Sequence, residues 1–234
     1  LNCKMIFQLL YWAYQSFFRE DAAVTVQTMQ IGNKPCRIYG RANAEYLLLQ
    51  MTGEHEQQSM NNEVDAIAQS GRNFLFAAIP VASWNDALSP WEAPAVWGKQ
   101  GFGGNAADTL RFLTEQVIPT LNQQYPLPEN VKIILGGYSL AGLFALWAST
   151  QTNLFYGVAA ASPSVWFPGW MEFEQQHPIQ AQRVYLSLGD KEERTKNTVM
   201  AAVGDNIRTL HSRLTARGAD CTLEWNSGGH FKDA

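Results

Sequence analysis

The sequence predicts an α/β fold: one domain built on a mainly parallel sheet with helices on both faces. Three observations carry this. Short continuous apolar runs recur along the chain, as expected of strands buried on both faces. Between them lie stretches whose apolar residues recur at helical spacing. No repeat, low-complexity tract or linker interrupts the alternation, which is the pattern of successive βαβ units.

The first buried strand is EYLLLQM (Glu45–Met51), followed by a loop, MTGEHEQQ. Met60, Val64, Ile67 and Ala68 then mark a helix closed by Ser70–Gly71, and NFLFAAIPV (Asn73–Val81) is the next strand. A long loop, ASWNDALSPWEAPAVWGKQGFGG, leads to a helix striped by Leu110, Leu113, Val117 and Leu121 that ends before Pro126. VKIIL (Val131–Leu135) is a strand. After Ser139, residues Leu140, Leu143, Phe144 and Trp147 form one helical face. FYGVAAAS (Phe155–Ser162) and VYLSLGD (Val184–Asp190) are further strands. Val199, Val203, Ile207, Leu210 and Leu214 stripe the last helix, which Gly218 closes before the strand CTLEW (Cys221–Trp225).

Apolar residues make up 46% of the 234-residue chain and charged residues 16%, a balance that supplies a well-buried core. The net charge of −4, with lysines and arginines scattered, argues against a nucleic-acid-binding face. Cys3, Cys36 and Cys221 are odd in number and far apart, so no disulfide framework is visible and a reducing, cytoplasmic setting is expected. His55, His177, His211 and His230 form no ligand pair, and no metal or cofactor is implied. The run KMIFQLLYWAYQSFF, ending at Phe18, is too short and too often broken by Gln for a membrane span, and REDAAV is a poor signal-peptide cleavage site.

The join between VKIIL and the following helix reads GGYSLAG. In open α/β sheets, ligands gather at the carboxyl ends of strands, and Ser139 lies just past such an end. A sharp turn there needs small neighbours, and Gly137 and Ala141 stand two residues to either side, the arrangement of the G-x-S-x-G nucleophile elbow. Ala141 departs from the strict pattern, with Gly142 one position later; the plainer reading is a serine N-cap. A serine hydroxyl needs a base and a group to orient that base. In this architecture they follow in the order Ser, acid, His. His230, in NSGGHF directly after the last strand, suits the base. The acid belongs after VYLSL, where Glu192, three residues after Gly189, ranks ahead of Glu193 and Asp190. An oxyanion hole would use the N–H of Leu140 and a second N–H near Thr52 and Gly53, after the first buried strand.

GGYSLAGLFALW, SPSVW, LGDKEE and the late GGH together resemble the putative-esterase family of α/β-hydrolases. That family includes enterobactin and other trilactone-siderophore esterases, S-formylglutathione hydrolase, and feruloyl and acetyl-xylan esterases. The resemblance runs from about Ala44 to the C-terminus, and the GGYS and glutamate-loop segments are closest to the siderophore-esterase branch. It implies a single α/β-hydrolase domain without a separate cap, cleaving small-molecule carboxylic esters through an acyl-serine. Ser139 would be nucleophile, His230 base and Glu192 acid. Two features depart from the family: Ala141 stands where glycine is usual, and the sequence ends four residues after His230, where the family continues into a last helix. The expected division is an N-terminal extension over residues 1–37 and an α/β-hydrolase domain over 38–234 lacking that helix.

Trp84, Trp91 and Trp97, and later Trp166, Phe167 and Trp170, follow strand ends and either wall a pocket or pack the loops down. Trp84, Tyr138 and Trp166 are the candidate substrate contacts. A thioesterase or acyltransferase would use the same residues. A non-catalytic binding protein of the same fold is the alternative of a different class. The oligomeric state leaves no trace in the sequence.

Overall fold

The computed structural model describes residues 24–53 and 60–230. Its main sheet has eight strands: β1 (Val26–Ile31), β2 (Lys34–Gly40), β3 (Tyr46–Thr52), β4 (Phe74–Pro80), β7 (Lys132–Tyr138), β8 (Gly157–Ala161), β9 (Arg183–Gly189) and β10 (Asp220–Asn226). Their spatial order is β1-β2-β4-β3-β7-β8-β9-β10. The first two junctions, β1–β2 and β2–β4, are antiparallel, and every later one is parallel. The central strands carry the apolar runs read from the sequence: β4 is buried from Phe74 to Ile79, with Leu75, Ala77 and Ile79 in one core with Leu47, Leu49, Ile133 and Leu135, and Phe74, Phe76 and Ala78 in a second cluster with Tyr39, Met60 and Val64.

The sheet begins earlier than expected. Ile31 pairs with Lys34 across a two-residue turn whose first residue, Gly32, has φ +55°. Such hairpin turns need a residue that accepts positive φ, which glycine does without a Cβ clash. The boundary drawn at Ile38 therefore falls inside β2, and residues from Val26 belong to the sheet. β1 escapes a search for apolar runs because it is an edge strand whose first three residues are exposed. The apolar run ending at Phe18, the loop segment 54–59 with His55, and residues 231–234 lie outside the described residues.

Helices connect the parallel strands: α1 (Met60–Ala68), the short α2 (Trp84–Ala87), α3 (Ala106–Phe112), α4 (Ile118–Gln124), α5 (Leu140–Gln151), α6 (Trp170–Gln176), α7 (Thr198–Ala201) and α8 (Val203–Ala216). The long loop after β4 is partly ordered by α2 and by a ribbon of β5 (Glu92–Ala93) with β6 (Phe102–Gly103). The stripe read as one helix is α3 and α4 joined by a π-helical turn, Leu113–Val117. Pro119 follows it at once; with no N–H to donate and a ring that crowds the carbonyl four residues back, proline suits a locally widened ladder. The stripe survives, since Leu113, Val117 and Leu121 are all buried. α5 differs from its expected single face: every residue from Leu140 to Ser149 is buried. It packs on β7 and β8 and against α3, so no side faces water. Among the described residues no helix is long and apolar enough to cross a membrane.

Candidate active site

β7 runs on through both glycines to Tyr138, and Ser139 forms the bend into α5 at φ 60°, ψ −121°. A serine in this region is strained, and such strain persists only where the surroundings over-determine it. Here the Ser139 N–H donates to the Ala161 carbonyl (3.0 Å), while its own carbonyl accepts from Leu143 N–H (3.1 Å) and Ser164 N–H (3.0 Å). The need for small residues is direct. A Cβ on Gly137 would come within 2.5 Å of the Ala141 carbonyl carbon and oxygen, and one on Gly142 within 3.1 Å of Pro163. The methyl of Ala141 itself is fully buried and fits, so alanine at that position does not disturb the turn. The serine side chain makes no cap bond to α5, against the N-cap alternative, which leaves its hydroxyl to other partners.

Those partners come from the far end of the chain. His230 Nε2 lies 3.0 Å from Ser139 Oγ, and His230 Nδ1 lies 2.6 Å from Glu192 Oε2. The other Glu192 oxygen, Oε1, accepts from the Ser162 hydroxyl (2.7 Å) and the Gly189 N–H (2.8 Å). The Tyr138 ring stacks on the imidazole with centroids 4.9 Å apart and planes 27° apart, so it braces His230. The residues weighed as acids separate by position. Glu193 pairs with Arg208 at 2.9 Å, and Asp190 accepts the Gly228 N–H at 2.8 Å, pinning the loop that carries His230.

Burial alone would raise the Glu192 carboxyl pKa. Hydrogen bonds from His230, Ser162 and the Gly189 N–H, with attraction to His230, outweigh it and hold the carboxyl below its ordinary value. A depressed folded pKa contributes stability above the ordinary carboxylate range and loses it as pH falls through the lowered value. Glu192→Gln removes this contribution. The variant should therefore lose less stability than the wild type when urea unfolding is compared between about pH 7 and about pH 3.

As the first residue of α5, Leu140 has an N–H with no acceptor in a preceding turn, beside the bend that carries Ser139. Gln50 pairs with Gly136. Beyond that pair β3 ends at Thr52 and its parallel neighbour β7 at Tyr138. The two expected sources of an oxyanion hole thus lie at adjoining strand ends. Trp84 opens α2 and is half-buried against the core. Trp166 is 7% exposed, two residues beyond Ser164, whose hydroxyl is 3.5 Å from Ser139 Oγ. Trp166 meets Trp97 edge-on at 5.7 Å, and Trp97 is 51% exposed, so of this pair it is Trp97 that presents aromatic surface. Trp91, Phe167 and Trp170 instead pack the loops: Trp91 lies against Phe167 and Phe173 and donates to the Pro168 carbonyl, and Trp170 is fully buried. The same segment is anchored to α8 by the buried Glu174, which pairs with Arg213 and Arg217, and by Asn206, which donates to the Val165 carbonyl. An open depression of about 890 Å³ lies between Ser83, Asp86, Glu92 and the 100–103 segment; Ser139, His230 and Glu192 do not line it.

Ser162 and Ser164 are the site residues that the reading of single motifs missed. SPSVW marked the segment, but the partners of Ser162 are thirty residues away in sequence.

An eight-stranded, mostly parallel sheet with a strained serine between β7 and α5 defines an α/β-hydrolase fold. The family model described as "Esterase: Putative esterase" matches residues 61–232, and the chain belongs to that family. The YbbA protein of Bacillus subtilis (strain 168), itself uncharacterized, is 25% identical over 140 residues, covering 57% of this chain and 55% of its own; the chain thus spans about half the length of this relative. Among solved structures, an IroE-like serine hydrolase from Shewanella oneidensis superposes with a TM-score of 0.71 at 15% identity, covering 88% of this chain and 75% of its own. Siderophore hydrolase EstB from Aspergillus nidulans gives 0.68 at 16% identity, with 90% of each chain covered. The enterobactin esterase FES from Shigella flexneri gives 0.63 at 16% identity, covering 89% of this chain and 55% of its own.

Proposed function

We propose that the protein is a serine esterase that cleaves small-molecule carboxylic esters through an acyl-Ser139 intermediate. The observation that carries this reading is the continuous relay from Ser139 Oγ through His230 to Glu192, with contacts of 3.0 and 2.6 Å. His230 Nε2 takes the proton as Ser139 Oγ attacks the ester carbonyl. Glu192 keeps the Nδ1 proton in place and stabilises the imidazolium that forms. The oxyanion is met by the Leu140 N–H and by a second N–H from the Thr52–Gly53 segment, and the N-terminal end of α5 favours the negative charge. His230 then returns its proton to the leaving alkoxide, and water, activated by the same nitrogen, releases the acid.

The half-exposed Trp97 against Trp166 supports an ester with an aromatic or other planar acyl group. The similar FES structure was determined in the presence of 2,3-dihydroxy-N-benzoyl-glycine, an aromatic molecule. The test is hydrolysis of p-nitrophenyl acetate, butyrate and benzoate by the purified protein. The expected result is turnover of all three with the highest kcat/KM for the benzoate. A folded protein with no turnover above buffer would refute the esterase assignment.

A further inference from the structure

Among the described residues three non-glycine positions have left-handed φ, and two of them are Ser139 (+60°) and Ser162 (+43°). They stand side by side. β7 and β8 run parallel with Tyr138 opposite Ala161, so each strained serine is the next residue beyond the sheet. Strain at Ser139 presents the hydroxyl. Ser162 carries similar strain without belonging to the relay, and its surroundings indicate why.

Ser162 is buried, and its N–H donates to the Ser187 carbonyl of β9 at 2.9 Å. Its hydroxyl donates to Glu192 Oε1 at 2.7 Å. Pro163 abuts the first turn of α5 so closely that a Cβ on Gly142 would meet it at 3.1 Å. Ser164 N–H donates to the carbonyl of Ser139 itself at 3.0 Å. One tripeptide thus touches the acid, the helix behind the nucleophile, and the nucleophile's own peptide. A buried carboxylate held at one oxygen by two donors cannot turn, and its other oxygen stays on the imidazole. With the Ser162 hydroxyl removed, an acceptor site is left unsatisfied and Oε1 is held by the Gly189 N–H alone, a weaker restraint on the carboxylate's rotation.

On the esterase reading above, we propose that Ser162 is a positioning residue: its hydroxyl fixes Glu192 so that Oε2 faces His230 Nδ1, and the Ser162–Pro163–Ser164 segment sets the spacing between acid and nucleophile. The strained backbone is what aims the hydroxyl from β8 across to the loop after β9.

The test measures kcat and KM for p-nitrophenyl butyrate in Ser162→Gly, Glu192→Ala and the double variant. Glycine accepts φ +43° without strain, which offsets the lost hydrogen bond to Glu192, so the variant should still fold with a cooperative thermal transition. For Ser162→Gly, kcat should fall about 10- to 100-fold with KM unchanged, the size expected for a hydrogen bond to a charged group. In the Glu192→Ala background the same change should alter kcat by less than about twofold, because the hydroxyl acts only through that carboxylate. Wild-type kcat in Ser162→Gly, or an equal loss in both backgrounds, overturns the inference and leaves the esterase reading standing. A folded wild type that neither hydrolyses the ester nor is labelled at Ser139 by a fluorophosphonate overturns both.

Discussion

Ser139→Ala should lower kcat for a p-nitrophenyl ester by about 10³- to 10⁶-fold, the range over which loss of an activated nucleophile acts in serine hydrolases. The fold should be unaffected, because the hydroxyl makes no cap bond to α5 and the backbone bonds to Ala161, Leu143 and Ser164 remain. Ser139→Gly sharpens the expectation. It removes the same hydroxyl but also releases the strain of a side chain at φ 60°, ψ −121°. That variant should be equally inactive yet more stable than Ser139→Ala, by about 1 kcal/mol or more. Urea unfolding and steady-state kinetics on the two variants measure both halves. An active alanine variant, or a glycine variant less stable than the alanine one, would show that the bend does not hold the serine for chemistry.

Gly137→Ala should damage stability and activity together. The added methyl would lie 2.5 Å from the backbone carbonyl carbon and oxygen of Ala141 and 2.7 Å from its Cβ. No rotamer relieves a clash with backbone, so the first turn of α5 must move away from β7. Overpacking of this kind costs about 1–3 kcal/mol, and the rigid partner places this case at the upper end. The movement carries Leu140 and Ser139 with it. A misplacement of about 1 Å at a reacting group lowers the rate roughly 100-fold. The expected result is a urea midpoint clearly below wild type and a kcat reduced at least about 100-fold, with Ser139 still present. A stable and active Gly137→Ala would mean that the turn is looser than its contacts require.

The parts of the site that were legible in the sequence are those dictated by backbone geometry. Gly137 and Ala141 flank Ser139 because the turn admits nothing larger, and that constraint can be read from a seven-residue stretch. His230 was legible from its place after the last strand, and Glu192 from its spacing after Gly189. What local reading could not reach depends on neighbours distant in the chain. Ser162 meets Glu192 across two parallel strand ends, and Tyr138 meets His230 across several intervening elements of secondary structure, α5 to β10. β1 and β2 escaped because a two-strand edge hairpin with Lys34, Pro35 and Arg37 presents no continuous apolar run. α5 showed one apolar stripe, but it is covered on every side, a consequence of lying between the sheet and α3 rather than of its own periodicity. The tryptophans divided similarly: Trp91 and Trp170 pack loops, while Trp97 stays half-exposed, and nothing in their local sequence separates them.

An activated Ser139 would react covalently with a fluorophosphonate, which the mass of the intact protein after exposure, followed by peptide mapping, reads out. The expected result is a single adduct per chain, located on Ser139 and absent from Ser139→Ala. A folded protein that takes up no adduct, or carries it on another residue, would contradict it.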